Sequence, residues 1–230
     1  MAVGLLVVAT VAANVSARTG PRVALADAVA AAEGESSCAG PRWPVKTMAD
    51  PLAGQVDLAH PQVSTVALLR GLAVPTVSNG SGRLAGVETR VVRLTAELLS
   101  GRVSPDGDLA VVIRPAGRPT DTMLIEFPAQ RCLTPQTPAP VRAAAAGARR
   151  TFEAGCGSLR ATKTALAGTV TVTGVVFVDT PHKLKNGTNA RQAAPDEVEL
   201  HPVLAVSALS CQRSAEQAAP DGSDPGLAAP

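Results

Sequence analysis

The sequence predicts a mainly β fold: a five-stranded barrel with one helix between its third and fourth strands, preceded by an irregular N-terminal segment. Three observations predict it. Apolar residues recur at period two from Glu88 to Leu98, and short apolar strands follow at 109–113 and 122–127. An Ala-rich stretch with helical spacing follows at 138–154, and two further period-two runs at 170–178 and 198–206 close the folded part. Three strands, a helix and two strands is the element order of an OB-fold. An open α+β sandwich is the alternative that the same composition allows.

In the first strand, Glu88 to Leu98, the residues Val92, Leu94, Ala96 and Leu98 alternate with polar ones, as on a half-buried strand. Ser104-Pro105-Asp106-Gly107-Asp108 is a turn by composition. Asp106 and Asp108 start like a calcium loop, but the later ligands and the closing glutamate are missing, so the turn is the better reading. The second strand runs from Leu109 to Ile113 and the third from Thr122 to Phe127, where Pro128 and the Pro-rich stretch 135–140 end it. Thr137 can cap the helix, and Pro138 or Pro140 suits its first turn. Val141, Ala144, Ala145, Ala148 and Phe152 form its apolar stripe, and Gly155 or Gly157 stops it. Val170, Val172, Val176 and Val178 mark one face of the fourth strand, with Gly174 as a bulge point. Val198, Leu200, Leu204 and Val206 mark the fifth. Ahead of the barrel, Val63 to Arg70 reads as a short helix in preference to a strand, and Trp43 as a packing anchor.

The ends read differently. Met1 to Ser16 is uncharged and carries the run Ala2-Val3-Gly4-Leu5-Leu6-Val7-Val8-Ala9, the apolar core of a secretory signal, although no Lys or Arg precedes it. Small residues suit cleavage at Val15/Ala17 or Ala24/Ala26. The organisation expected is a signal peptide or N-terminal membrane anchor at 1–26, a linker at 27–41, one domain at 42–211 and a disordered tail at 212–230. The expected location is secreted, cell-surface or periplasmic, with a tether through an uncleaved N-terminus as the alternative. That apolar segment is also the one route to transient membrane association.

A net charge of +2 gives no pull toward nucleic acid, and 2% aromatic residues leave little for base stacking. Cys38, Cys132, Cys156 and Cys211 include no Cys-x-x-Cys pair, which excludes a zinc knuckle and a thioredoxin-type motif. In an exported chain they make two disulfides, of which sequence alone permits three connectivities. Asn79-Gly80-Ser81 and Asn186-Gly187-Thr188 match glycosylation sequons but read as turns by composition, and Gly80-Ser81-Gly82 lacks the setting of a nucleophile elbow.

Two segments carry a resemblance. Trp43-Pro44-Val45-Lys46-Thr47, followed by Asp50 and Val56-Asp57-Leu58, resembles the opening of a group of exported bacterial proteins with no assigned activity. Val198-Glu199-Leu200-His201-Pro202-Val203-Leu204 resembles a strand near their C-terminus, and Phe177, Val178, Asp179 and His182 match the strand before it. The resemblance spans about residues 38 to 206 and implies an OB-like domain and no particular reaction. It also implies a Cys38–Cys132 pair, which leaves Cys156 and Cys211 as a local staple around the last two strands. The chain departs from the group in the loop after His182, which reads Lys183-Leu184-Lys185-Asn186-Gly187, and at Ala110, where the group has histidine.

One constellation stands out. Glu199 and His201, two apart on a strand, project to one face, opposite Leu200 and Leu204. If the last two strands form a hairpin, Asp179 and His182 approach them. Imidazole and carboxylate together suit zinc or a similar ion, or a general acid–base pair. The plainer reading is structural: a histidine before proline on a half-exposed strand that satisfies backbone groups at a sheet edge, with Glu199 as its partner. The function expected is therefore a non-enzymatic exported binding or structural module, with no cofactor and no partner identified. The alternatives are a nuclease-like hydrolase using His182, Glu199 and His201, or a nucleic-acid- or glycan-binding face with Arg90, Arg93, Arg102 and Arg114.

Overall fold

The computed structural model describes residues 38–181 and 193–213. The expected signal or anchor at 1–26, most of the linker, His182 and nearly all of the tail lie outside the described residues.

The fold is mainly β sheet with few helices. A short helix α1 (Trp43–Lys46) and a 3-10 turn at Ala53–Gln55 lead into β1 (Gln62–Val63) and α2 (Val66–Arg70). Then come β2 (Val91–Val103), β3 (Leu109–Arg114) and β4 (Met123–Phe127), a 3-10 turn at Gln130–Cys132 and the long helix α3 (Ala139–Cys156). The strands β5 (Thr164–Val178) and β6 (Val198–Arg213) complete the order. The six strands lie in the order β1-β2-β3-β4-β6-β5, and β5 pairs again with β2, so the arrangement is ring-like. The β1–β2 and β4–β6 pairings are parallel and the others antiparallel.

Several elements depart from the sequence reading for identifiable reasons. A register shift between Leu98 and Ser100 breaks the period-two pattern, and β2 continues past it to Val103. The first half of β5 and the second half of β6 alternate Thr, Ala and Ser instead of large apolar residues, so both strands run longer than their valines indicate. Gln212 and Arg213, assigned to the tail, belong to β6. Register shifts around Gly174 move the core position of β6 from Leu204 to Val203. The stretch Val63–Arg70 divides between strand and helix at Thr65, whose hydroxyl accepts the Leu68 N–H at 3.1 Å as an N-cap.

Thr137 does not cap α3. Pro138 occupies the cap position without a side-chain bond, and the Thr137 hydroxyl donates to the carbonyl of Thr47 at 2.7 Å. Pro140 sits in the first turn, and Gly157, at φ 73°, ends the helix. Ala146 is buried on the helix, whereas Ala144 is half-buried.

Disulfides join Cys38 to Cys132 and Cys156 to Cys211, the pairing that the resemblance implied. The main core lies on one face of the sheet, where Val111, Ile113, Ile125, Phe127, Val172, Val176 and Leu200 meet Phe152 of α3. The opposite face of the same strands is buried too. Met48, Ala53 and Val56 of the N-terminal segment pack there with Val91, Val141 and Val175, and Ala193 packs with Ala110, Val112 and Leu124. The site lies on this second face.

Candidate functional site

Strand alternation decides which side chains meet. Leu109, Val111, Ile125, Phe127, Val198 and Leu200 point into the main core, so Ala110, Glu126, Glu199 and His201 point the other way. The β3–β4 register sets Ala110 opposite Glu126. The parallel β4–β6 register sets Leu124 opposite Glu199, and two residues further along both strands Glu126 comes beside His201. The His201 Nδ1 lies 3.0 Å from Glu126 Oε2 and 3.5 Å from Glu199 Oε1, while its Nε2 lies 3.4 Å from Asp108 Oδ2. The Phe177 ring meets the imidazole edge-on, with centroids 5.9 Å apart.

The N-terminal segment roofs this face. Lys46 sends its ammonium between three carboxylates, 3.5 Å from Glu126 Oε2, 3.4 Å from Asp179 Oδ2 and 3.9 Å from Glu199 Oε1, and 5.5 Å above the centre of the Phe177 ring. Arg42 lies one helical turn earlier. Its guanidinium forks onto Glu88 at 2.6 and 2.7 Å and also donates to the carbonyls of Val178, Ser81 and Gly82. Arg83 grips Asp50 and donates to the carbonyls of Val45 and Glu88, which holds the segment down beyond α1.

Glu199 and His201 share a face as expected, but their surroundings differ from the expectation. The strand β6 lies between β4 and β5 and is not a sheet edge at that point, and His201 is only 1% exposed. Its partners are carboxylates, not backbone groups. Asp179 reaches the cluster through Lys46, and its Oδ1 accepts the Thr180 N–H at 2.8 Å. His182 lies outside the described residues. The Asp106–Asp108 turn forms, with Gly107 N–H donating to Ser104 at 2.8 Å. Its last carboxylate points inward, accepting the Ala129 N–H at 2.8 Å through Oδ1. Among the arginines proposed as a basic face, Arg93 and Arg102 are exposed, but Arg114 is matched by Glu97 at 3.0 Å.

Lys46, Asp108 and Glu126 are site residues that the sequence reading did not select. Glu126 carried a usable signal: it is the only charge in Met123-Leu124-Ile125-Glu126-Phe127, a strand buried along its whole length, and a charge there requires a partner.

Burial sets the electrostatics. It pushes the Asp108 carboxyl up to about 6 against the pull of His201, and it pushes Glu199 up to about 7 with help from the neighbouring Glu126 charge. Burial alone would lower His201, but its hydrogen bond to Glu126 and the nearby Glu199 carboxylate, with Asp108 alongside, outweigh that and raise it to about 10. In the absence of another cation the imidazole is therefore charged at neutral pH, an ion-pair partner and a poor general base. A depression of about 110 Å³ opens beside the cluster, lined by Val74, Thr76, Val178, Asp179, Pro181 and Glu197.

No protein-family model, curated protein or solved structure matches the chain. The two disulfides fit an oxidising compartment, and no helix among the described residues is long and apolar enough to cross a membrane.

Proposed function

We propose that this is an exported bacterial protein whose folded part is a disulfide-stapled OB-like barrel, acting as a binding or structural module and not as an enzyme. The barrel reading is supported by the ring of β2-β3-β4-β6-β5, by the parallel pairing of β4 with β6, and by the position of α3 between β4 and β5 in the chain. Export is supported by the uncharged apolar run in Met1–Ser16, read as a signal or an anchor, together with two disulfides.

The observation that carries the non-enzymatic reading is the burial of Glu199 and His201, each 1% exposed, beneath the Arg42–Thr47 roof. A hydrolase needs its acid–base pair within hydrogen-bond reach of a substrate. These two groups reach each other, Glu126, Asp108 and Lys46. Purified protein assayed against single- and double-stranded nucleic acid and against phosphodiester and ester substrates should show no turnover. Activity that disappears in a folded His201→Gln variant would reverse the reading.

Binding of nucleic acid or glycan is the second reading, supported by the exposed Arg93 and Arg102 on β2. It calls for an affinity that falls steeply with salt and is weakened in an Arg93→Ala/Arg102→Ala variant.

A further inference from the structure

Buried polar atoms in folded proteins find partners almost without exception, and those that do not call for an explanation, an ion being one. Three such atoms belong to this cluster, and two of them face each other. Asp108 Oδ2, His201 Nε2 and Glu199 Oε1 are all buried, and none has a hydrogen bond among the described residues. They belong to two residues of β6 and one of the turn before β3, and Asp108 Oδ2 and His201 Nε2 stand only 3.4 Å apart. Neither Asp108 nor His201 exceeds 1% exposure, so solvent is excluded from the gap between them.

We propose that Asp108, Glu126 and His201 bind a divalent transition-metal ion of the zinc or manganese class. The donor set is one imidazole and two carboxylates. Calcium and magnesium favour all-oxygen shells, while imidazole suits zinc and its neighbours. Two ligands bonded at about 2.1 Å to one ion, at an angle near tetrahedral, stand about 3.4 Å apart, which is the span of the Asp108–His201 pair. One ligand atom from each of the three residues can be chosen so that all lie within 4.8 Å of one another. Glu126 rests with Oε2 3.0 Å from His201 Nδ1, so its ligation requires the carboxylate to turn toward the gap.

Charge favours the same occupant. Four carboxylates, from Asp108, Glu126, Asp179 and Glu199, surround one ammonium and one imidazole. Binding replaces the proton on His201 Nε2, which is released to solvent, with a dication, and so brings the cluster nearer to neutrality. Glu199, 3.5 Å from the ring, then serves as an outer carboxylate that orients the histidine. Because the site is sealed, the ion enters while the Arg42–Thr47 roof is open, during folding or local opening. The inference goes beyond the binding or structural role proposed above, and it stands or falls separately from it.

The test uses the full oxidised chain, unfolded in urea with its disulfides intact, stripped with a chelator and refolded with zinc, followed by desalting and metal analysis. About one zinc per chain should be retained, with a melting temperature several degrees above the chelator-treated protein. Asp108→Asn and His201→Gln should each cut retention at least tenfold while the far-ultraviolet spectrum stays native. His60→Ala, which removes the exposed histidine paired with Asp57, should leave retention unchanged. If either cluster variant fails to fold, cobalt loading of the unmodified chain decides: intense visible bands of a low-coordinate site support the proposal. The proposal is overturned if the wild type retains under a tenth of an ion per chain, if both folded variants retain as much as wild type, or if the cobalt bands are missing.

Discussion

Arg42 and Glu88, 46 positions apart in the chain, form a two-pronged ion pair at 2.6 and 2.7 Å with neither side chain exposed to solvent. Glu88 also accepts the backbone N–H groups of Leu84 and Val178, at 2.6 and 2.8 Å. The pair joins the N-terminal roof to the end of β5, and it explains how a four-residue helix, too short to persist alone, holds a fixed place. Removing one partner leaves a buried charge without compensation. Arg42→Met should therefore cost about 3–5 kcal/mol by urea denaturation. Arg42→Met combined with Glu88→Gln should recover a large part of that loss, because the stranded charge is then gone. A double variant as unstable as the single one would show that packing, and not charge, carries the contact.

The fold was legible where one residue pattern answered to one burial pattern. In α3 and in the Val92–Leu98 part of β2 the apolar periods matched a core on one side, and the unbroken apolar runs of β3 and β4 matched strands buried on both faces. The site was half legible. Glu199 and His201 announced themselves by their i, i+2 spacing, but what roofs them is set by Arg42 and Lys46, more than 150 positions away in the chain, and no local period encodes such a contact. Ala110 is informative in the same way. It lies opposite Glu126, so a residue read only as a departure from a pattern proves to adjoin the cluster. Asp108 was hidden by a correct reading, since its backbone does form the turn while its side chain faces the other way.

Protonation of the cluster should give the metal-free protein an acid-leaning stability profile. The folded Asp108 and Glu199 carboxyls hold their protons up to about 6 and 7, against ordinary values of 3.8 and 4.5. Between those limits the folded state binds more protons than the unfolded one, so stability falls as pH rises through the window. His201 acts in the same direction. Its folded value of about 10 lies above the ordinary 6.5, and its contribution is complete below 6.5 and lost as pH rises toward 10. In chelator, the unfolding free energy from urea titration should fall steadily from pH 5 to pH 9, by an amount on the order of a few kcal/mol, and the midpoint with it. His201→Gln should flatten the part above pH 7. A midpoint constant across that range would contradict the burial argument.

Two glycines with positive φ should respond differently to alanine. Gly168 in β5 has φ 114°, and a Cβ there would meet the Ser210 carbonyl oxygen at 2.1 Å. Backbone cannot step aside cheaply, so Gly168→Ala should cost about 2–3 kcal/mol or more and disturb the β5–β6 pairing next to Cys211. Gly86 has φ 74° with open space around the Cβ position. Gly86→Ala then carries only the left-handed backbone cost, about 1–2 kcal/mol. Equal losses in the two variants would mean that the contact with Ser210 relaxes freely.

The two disulfides should be equal in global effect and unequal in local effect. They close stretches separated by 94 and 55 positions, and chain entropy assigns each about 4 kcal/mol. Serine replacement of either pair should therefore lower the unfolding free energy by about 2–5 kcal/mol. Cys156–Cys211 fastens the end of α3 to the far part of β6, away from the cluster. Cys38–Cys132 instead anchors the chain four residues ahead of Arg42, and so holds the roof against the sheet. Hydrogen exchange reads the difference. In Cys38→Ser/Cys132→Ser the amides of Thr47 and Met48, which bond to Trp43 and Val45 at 3.0 and 3.2 Å, should lose protection beyond the global loss. In Cys156→Ser/Cys211→Ser they should follow the global loss alone. The same roof amides exchanging equally in both variants would mean that Arg42, Lys46 and Arg83 hold the segment without help from the disulfide.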